Sequence, residues 1–509
     1  MRRAVRAALL AFDLGSGSVK ALLVDAETGV PLALARRGTG AGADPREQDP
    51  EAWWAAICAA THEAVAAASS DGAIEVRGIG VDGHGPSLVP VRDDGSAAGP
   101  ALMWRDRRAV DDEAALGSIL GRSGWLLGEL PKARWLGRER PETARSAAWL
   151  IASWDAITLR LSGEAVSSFW DPARGISPAQ RAALFAAGLD ARAFPPEVYP
   201  GTRIGTLCDA AAADLRLPAG IPIAAGVNDG LAAVVGAGLV APGIGVDVGG
   251  TAGGVAVAAS ADQARWVEAA QPGRLWSGPA PTPFGDLRIL GGAFAGTGRL
   301  LEWVVTELLA DDPAAAPARR AELFRAAAAL PLGAAGLMAK PIARSGWVTP
   351  RSVDDAFDGR SEAHGPAHLV RAAIEGGALA VAHLLAPAIG AGLPVDEMRL
   401  SGPATGASPG PLSGGEMVPT ELVQLRADLF GTPVAIGRNR EASGAGAAAL
   451  AGVAAGCFAT LREASLLLSA TERRIEPRDE RRVAARGLVE RFGELVERAG
   501  GEGAVRRED

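Results

Sequence analysis

The chain has 509 residues and a mass of 51.7 kDa, enough for roughly two to four structural units at about 100–200 residues each. Hydrophobic residues at 48% and charged residues at 22% describe a globular protein and exclude a mainly disordered or fibrous one. A formal charge of −8 excludes a broad basic face for nucleic acid, so any anionic ligand must be held locally.

In chain order, the apolar stretch 7–12 after Met1-Arg2-Arg3 is too short for a secretory leader and meets Asp13. Residues 7–14, 19–25 and 30–36 read as three short strands, with Gly15-Ser16-Gly17-Ser18 and Glu27-Thr28-Gly29 as turns. A helix follows, with Asp49 as N-cap, Pro50 at its first position, and Trp53, Ile57 and Ala64 along it. Residues 74–81 return as a strand that ends in the turn Asp82-Gly83-His84-Gly85-Pro86. This order predicts an α/β protein in which antiparallel strands lead and crossovers follow. Farther on, the apolar strand 221–225 runs toward Asp229 and the apolar helix 231–235 leaves it. A second Gly-rich strand pair spans 243–258, where Asp247-Val248-Gly249-Gly250-Thr251 echoes Asp13-Leu14-Gly15-Ser16-Gly17 and suggests an internal duplication. The uncharged stretch 442–461 is rich in Ala and Gly and reads as a buried helix with its flanks, so no membrane is expected as a partner. From Glu472 the chain turns Arg-rich, which predicts a solvated terminal helix with a frayed end. Cys58, Cys208 and Cys457 are odd in number and far apart, which suits a reducing cytoplasm.

Two segments carry candidate chemistry. The glycine turn from Asp13 to Lys20 would expose successive N–H groups as a nest for phosphate oxygens, with Asp13 placed to order Mg²⁺ or its waters. It is not a Walker A loop, because Lys20 lies on the outgoing strand, and an ordinary hairpin turn is the plain alternative. Asp229 sits at a strand-to-helix junction between apolar walls, where a raised pKa would let it take a proton from a hydroxyl; its alternative is a helix N-cap. Two look-alikes fail. Pro242-Gly243 ends the dinucleotide-like string 236–241 before any helix starts, and Pro409 lacks the N–H that the hydrolase-like string 406–410 needs. Of the histidines, His62 and His383 read as surface or packing residues and Gly365-Pro366 separates His364 from His368, whereas His84 lies in a glycine turn after a strand and would face a cleft.

Taken together, Asp13–Lys20, Gly83–Pro86, Trp104-Arg105-Asp106-Arg107, Asp229, Gly249–Gly253, Gly298 with Trp303, Ser401-Gly402 and the segment from Arg426 to Pro433 occur in an order that resembles the FGGY carbohydrate kinases, and most of all their xylulokinase-like branch. The resemblance covers about residues 6–456. It implies an actin-like ATPase fold: two ribonuclease-H-like lobes, residues 1–243 and 244–470, around a central cleft, then a charged helix and tail over 471–509. It implies ATP and Mg²⁺, and phosphorylation of a hydroxyl of a small sugar, a ketopentose such as xylulose or a related ketose or polyol. A glycerol or tetritol kinase of the same fold, and a nucleotide-binding regulator without transfer activity, are the alternatives; a homodimer is one allowed assembly.

Carried over by this likeness, Gly15, Ser16, Gly17, Ser18 and Lys20 form the first phosphate loop, with Asp13 toward the metal, and Gly250 and Thr251 belong to the second. Asp229 matches the family's catalytic base and touches the substrate. Gly298, Glu302 and Gly402 fall on the adenosine side, and His84, Trp104 and Asp106 on the sugar side. The chain departs from the family's pattern at His84, where Gln is usual, and at Ala252, Gly230, Pro403 and the segment 342–350. Most of these changes touch sugar contacts or the nucleotide's edge, so they put the substrate in question more than the reaction.

Overall fold

Alternation along the first strands decides where the two faces of a sheet go. The computed structural model describes residues 5–40, 44–70, 72–169, 175–248, 253–272, 275–278, 283–294, 297–309, 316–340, 350, 352–402 and 419–498. In it β1 (Arg6–Leu14), β2 (Ser18–Asp25) and β3 (Pro31–Gly38) form an antiparallel meander. Leu10, Phe12 and Leu14 of β1 join one buried cluster, shared with α1 (Pro50–Ser69), while Leu9 and Ala11 point to another on the opposite face. The helix α1 starts as its sequence predicts: the Asp49 side chain accepts the Glu51 N–H at 2.9 Å and Pro50 takes the first turn. β4 (Ile74–Gly83) then runs parallel to β1, two residues farther than expected, so Asp82 lies in the strand beside Asp13 rather than in a turn. With β5 (Arg203–Thr206), β6 (Pro222–Ala224) and β7 (Val227–Asn228) the sheet has seven strands, in the order β5-β6-β4-β1-β2-β3, with β7 also paired to β4.

The second sheet repeats this plan. β8 (Gly243–Asp247), β9 (Gly253–Ala259) and β10 (Arg288–Phe294) are an antiparallel meander; β11 (Val395–Leu400) is parallel to β8, β12 (Val434–Gly437) parallel to β11, and β13 (Thr471–Ile475) antiparallel to β12. Strand for strand and sense for sense, β10-β9-β8-β11-β12-β13 matches β3-β2-β1-β4-β6-β5, with a short added edge strand, Trp276–Ser277. The echo of Asp13 by Asp247 therefore sits in equivalent places of two like sheets.

Helices join the two halves. α2 (Asp229–Gly236) leaves the first sheet, α3 (Pro366–Gly390) and α4 (Thr420–Phe430) belong to the second half, and α5 (Ala442–Ala454) crosses to lie on the first sheet against α2. That seat needs glycine: a Cβ on Gly80 would overlap the Ala447 carbonyl, and one on Gly78 would lie 2.7 Å from the Ala451 oxygen. α3 is long and apolar enough to span a membrane, yet 67% of its most apolar window is inside the protein and it carries the buried pair Arg371–Glu375 at 2.6 Å, so it is a core helix.

Within the segment from 471, expected as a solvated helix and tail, a terminal helix does form but is packed on the second half, and the tail 499–509 lies outside the described residues. Residues 471–475 form the edge strand β13, and α6 (Arg482–Arg498) buries Leu488, Phe492 and Leu495 against Ala378, Leu379 and Leu429. Arg478 explains the charge: it meets the buried Asp428 at 2.6 Å and Glu421 at 2.8 Å.

Candidate active site

Register places the acids. Asp13 stands opposite Lys20 on β2 and Asp82 on β4; Asp82 is in turn opposite Val227, two residues before Asp229 opens α2. Lys20 Nζ lies 2.8 Å from Asp13 Oδ2 and 2.5 Å from Oε2 of Glu441, the residue before α5. Burial pulls the Lys20 pKa down, but the two carboxylates outweigh it and hold it raised. Asp82 is fully buried beside Asp13; burial, then the charges of Asp13 and Asp229, push its pKa well above the carboxylate range.

Asp229 is half-buried. Burial first, and the charge of Asp13 second, push its carboxyl up to about 7, against the opposing pull of the Gly230 N–H and Lys20. The N-cap of α2 is Asn228, whose Oδ1 accepts the Gly230 N–H at 2.9 Å; Asp229 Oδ1 shares that N–H at 2.7 Å. Ser443 Oγ, in the first turn of α5, donates to the Asp229 carbonyl at 3.2 Å and ties the two helix starts together.

The glycine turn is a tight hairpin, closed by Gly15 N–H to the Ser18 carbonyl at 3.0 Å. The Ser16 carbonyl accepts from Gln48 Nε2 at 2.6 Å and from Thr39 Oγ1 at 3.4 Å, and Ser16 Oγ accepts from the Trp104 indole at 2.9 Å. Trp104, expected on the sugar side, leans on the glycine turn with 44% of its surface exposed. His84 is buried, with Nδ1 2.9 Å from Ser87 Oγ, Nε2 without a partner, and its pKa lowered to about 4 chiefly by burial, so its imidazole is neutral at pH 7. Asp106, expected to face the sugar, is instead engaged by Arg108 through N, Nε and Nη2 at 3.0, 2.9 and 2.6 Å, which makes it a loop anchor.

In the second half, Gly250 and Thr251 lie outside the described residues. Gly298 is in the helix Thr297–Leu309, and Glu302 is exposed on that helix within electrostatic reach of Arg320. Gly402 follows β11 with φ +56° and donates its N–H to the Arg440 carbonyl at 2.6 Å, while Ser401 Oγ accepts the Ala442 N–H at 3.0 Å at the start of α5. The structure therefore brings Asp13, Lys20, the glycine turn and Asp229 together, adds Asp82 and Glu441, and hands Asp106 to Arg108. Sequence reasoning missed Asp82, hidden in what reads as a turn, and Glu441, which carries no local signal.

Residues 8–236 match the model of the FGGY family of carbohydrate kinases, N-terminal domain, and residues 278–455 match the C-terminal domain of the same family. The chain belongs to the FGGY family of carbohydrate kinases, and its two like sheets form the actin-like ATPase fold. It is 32% identical over 268 residues to the xylulose kinase of Streptomyces rubiginosus, an alignment covering 48% of this chain and 52% of that one. The chain thus spans about half the length of the curated xylulose kinases at the head of the comparison, 52% and 50% in two of them. To the glycerol kinase of Aromatoleum aromaticum it is 29% identical over 539 residues, covering 97% of this chain and 99% of that one. The solved xylulose kinase of Rhodospirillum rubrum superposes with a TM-score of 0.70 at 27% identity, over 96% of this chain and 98% of that one.

Proposed function

We propose that the chain transfers the terminal phosphoryl group of ATP to a hydroxyl of a small sugar, with a ketopentose such as xylulose as the acceptor. The observation that carries this reading is the carboxyl of Asp229, raised to about 7 and facing the same acid cluster as the strand end that leads into the glycine turn. A base with that pKa accepts a proton near neutral pH and releases it again, which is what alcohol activation requires. At the tip of the turn, the Ser16 and Gly17 N–H groups would hold phosphate oxygens, and the neutral His84 would exchange hydrogen bonds with a sugar hydroxyl without adding charge. Little covalent work is left for the protein beyond alignment and charge stabilisation.

Mg²⁺, when bound, would supply positive charge to offset that of the phosphates. Asp13, beside Asp82 in the sheet, is the residue that would hold it or its waters. A cytoplasmic setting agrees with the three free cysteines.

A second reading, a kinase for glycerol or another small polyol, is supported by the glycerol kinase alignment along nearly the whole chain. Coupled ADP release over pentuloses, pentitols, hexuloses, tetritols and glycerol separates the two. Turnover highest with a pentulose supports the first reading, turnover highest with glycerol or a tetritol supports the second, and ATP binding without release on any acceptor overturns both in favour of a regulator.

A further inference from the structure

The side-chain amide of Gln48 links the glycine turn to the wall that carries His84, and makes the shorter of two side-chain hydrogen bonds to the Ser16 carbonyl, Thr39 Oγ1 donating the other at 3.4 Å. Gln48 is 6% exposed and lies between Ser16 and Trp53: its Nε2 donates to the Ser16 carbonyl at 2.6 Å and its Oε1 accepts the Trp53 indole N–H at 2.9 Å. Trp53, fully buried, meets the His84 ring edge-on with centroids 5.2 Å apart. An indole only donates and a carbonyl only accepts, so the chemistry of the two partners fixes which end of the amide faces which. Glutamate in this place would have no donor for Ser16, and leucine would serve neither partner.

The Ser16 carbonyl and the Gly17 N–H belong to one planar trans peptide and point in opposite directions. Pinning the oxygen inward therefore aims the N–H outward. Gly17 has no side chain to resist a flip of that peptide, and nothing lies within 4 Å of where its Cβ would be. On the reading that this turn holds phosphate, we propose that Gln48 is a positioning residue: it aims the Gly17 N–H at the nucleotide's phosphates and, through Trp53, ties that orientation to the His84 side of the site.

The test is the affinity of the full chain for MgADP by titration calorimetry, with melting temperatures in parallel, for Gln48→Glu, Gln48→Leu and the double variant Gln48→Leu with Trp53→Phe. Gln48→Glu keeps the acceptor for Trp53 but loses the donor, and its ADP affinity should fall by about tenfold or more, the effect of one lost buried hydrogen bond. Gln48→Leu should lose affinity and melt earlier, because the indole is left unsatisfied. The double variant removes that orphan, so its melting temperature should recover toward wild type while ADP affinity stays as weak as in Gln48→Leu. Affinity within about twofold of wild type in Gln48→Glu, or affinity returning together with melting temperature in the double variant, would overturn the assignment. A wild-type chain that binds ADP but phosphorylates no sugar strikes the acceptor reading and leaves this one standing; a wild-type chain that binds no ADP strikes both.

Discussion

Replacing Asp229 with asparagine keeps the shape of the side chain and removes its ability to take a proton. A general base is typically worth ~10²–10⁴-fold, so the variant should retain about a hundredth or less of wild-type kcat with ADP affinity unchanged. The raised carboxyl adds a pH signature. With a pKa of about 7, wild-type kcat/KM should rise about tenfold per pH unit below neutrality and level off above it, whereas the variant should be low and flat. Stability moves the other way. A carboxyl whose folded pKa stands above its ordinary 3.8 binds its proton more tightly in the folded state, so the folded state loses stability as pH climbs from about 4 to about 7. At ~1.36 kcal/mol per pH unit the ceiling is about 4 kcal/mol, which solvent screening at a half-buried side chain reduces to about 1–2 kcal/mol. Urea unfolding at pH 5 and pH 8, with ADP release followed across the same range, reads both effects. A variant that keeps more than about a tenth of wild-type turnover, or one less stable than wild type at pH 8, would refute the reasoning.

Lys20→Met should leave Asp13 without its lysine partner and Glu441 with only Arg36 at 3.9 Å, and cost about 3 kcal/mol at pH 7. Urea unfolding at pH 7 reads the cost, and a deficit below about 1 kcal/mol would contradict this. Gly80→Ala should cost about 1–3 kcal/mol or more, because its new methyl meets the Ala447 carbonyl of α5. The exposed helical Gly137, with nothing near its absent Cβ, serves as the control and should gain up to about 1 kcal/mol on the same change; like-signed shifts in the two variants would argue against the close seat of α5.

Much of the first sheet was legible because its signals are local. Strand alternation, the turn at Gly15–Ser18 and the Asp49-Pro50 helix start each depend on a few neighbouring residues, and the observed strands begin and end within two residues of the readings for β1, β2 and β3. Asp82 was misplaced because Gly83 and Gly85 look like a turn, while the strand continues on account of pairing with β1, a contact the local sequence does not contain. Glu441 and the partners of Arg478 fall to the same cause: a charge declares its sign in the sequence but not the opposite charge that a distant segment brings to it. Asp106 shows the converse. Its place in the motif puts it on the sugar side but does not announce that Arg108, two residues on, folds back to engage it.

The helix α5 has a consequence for how the chain is made. The first sheet emerges from the ribosome early, with its strands paired and one face packed on α1, but the opposite face, with Leu9, Ala11 and the bare backbones of Gly78 and Gly80, stays uncovered until residues 442–454 are synthesised. A nascent chain stopped short of α5 would carry a greasy, groove-like scar that invites chaperones or self-association. The two halves thus mature as one product, finished only when the last third of the polypeptide comes back to close the first.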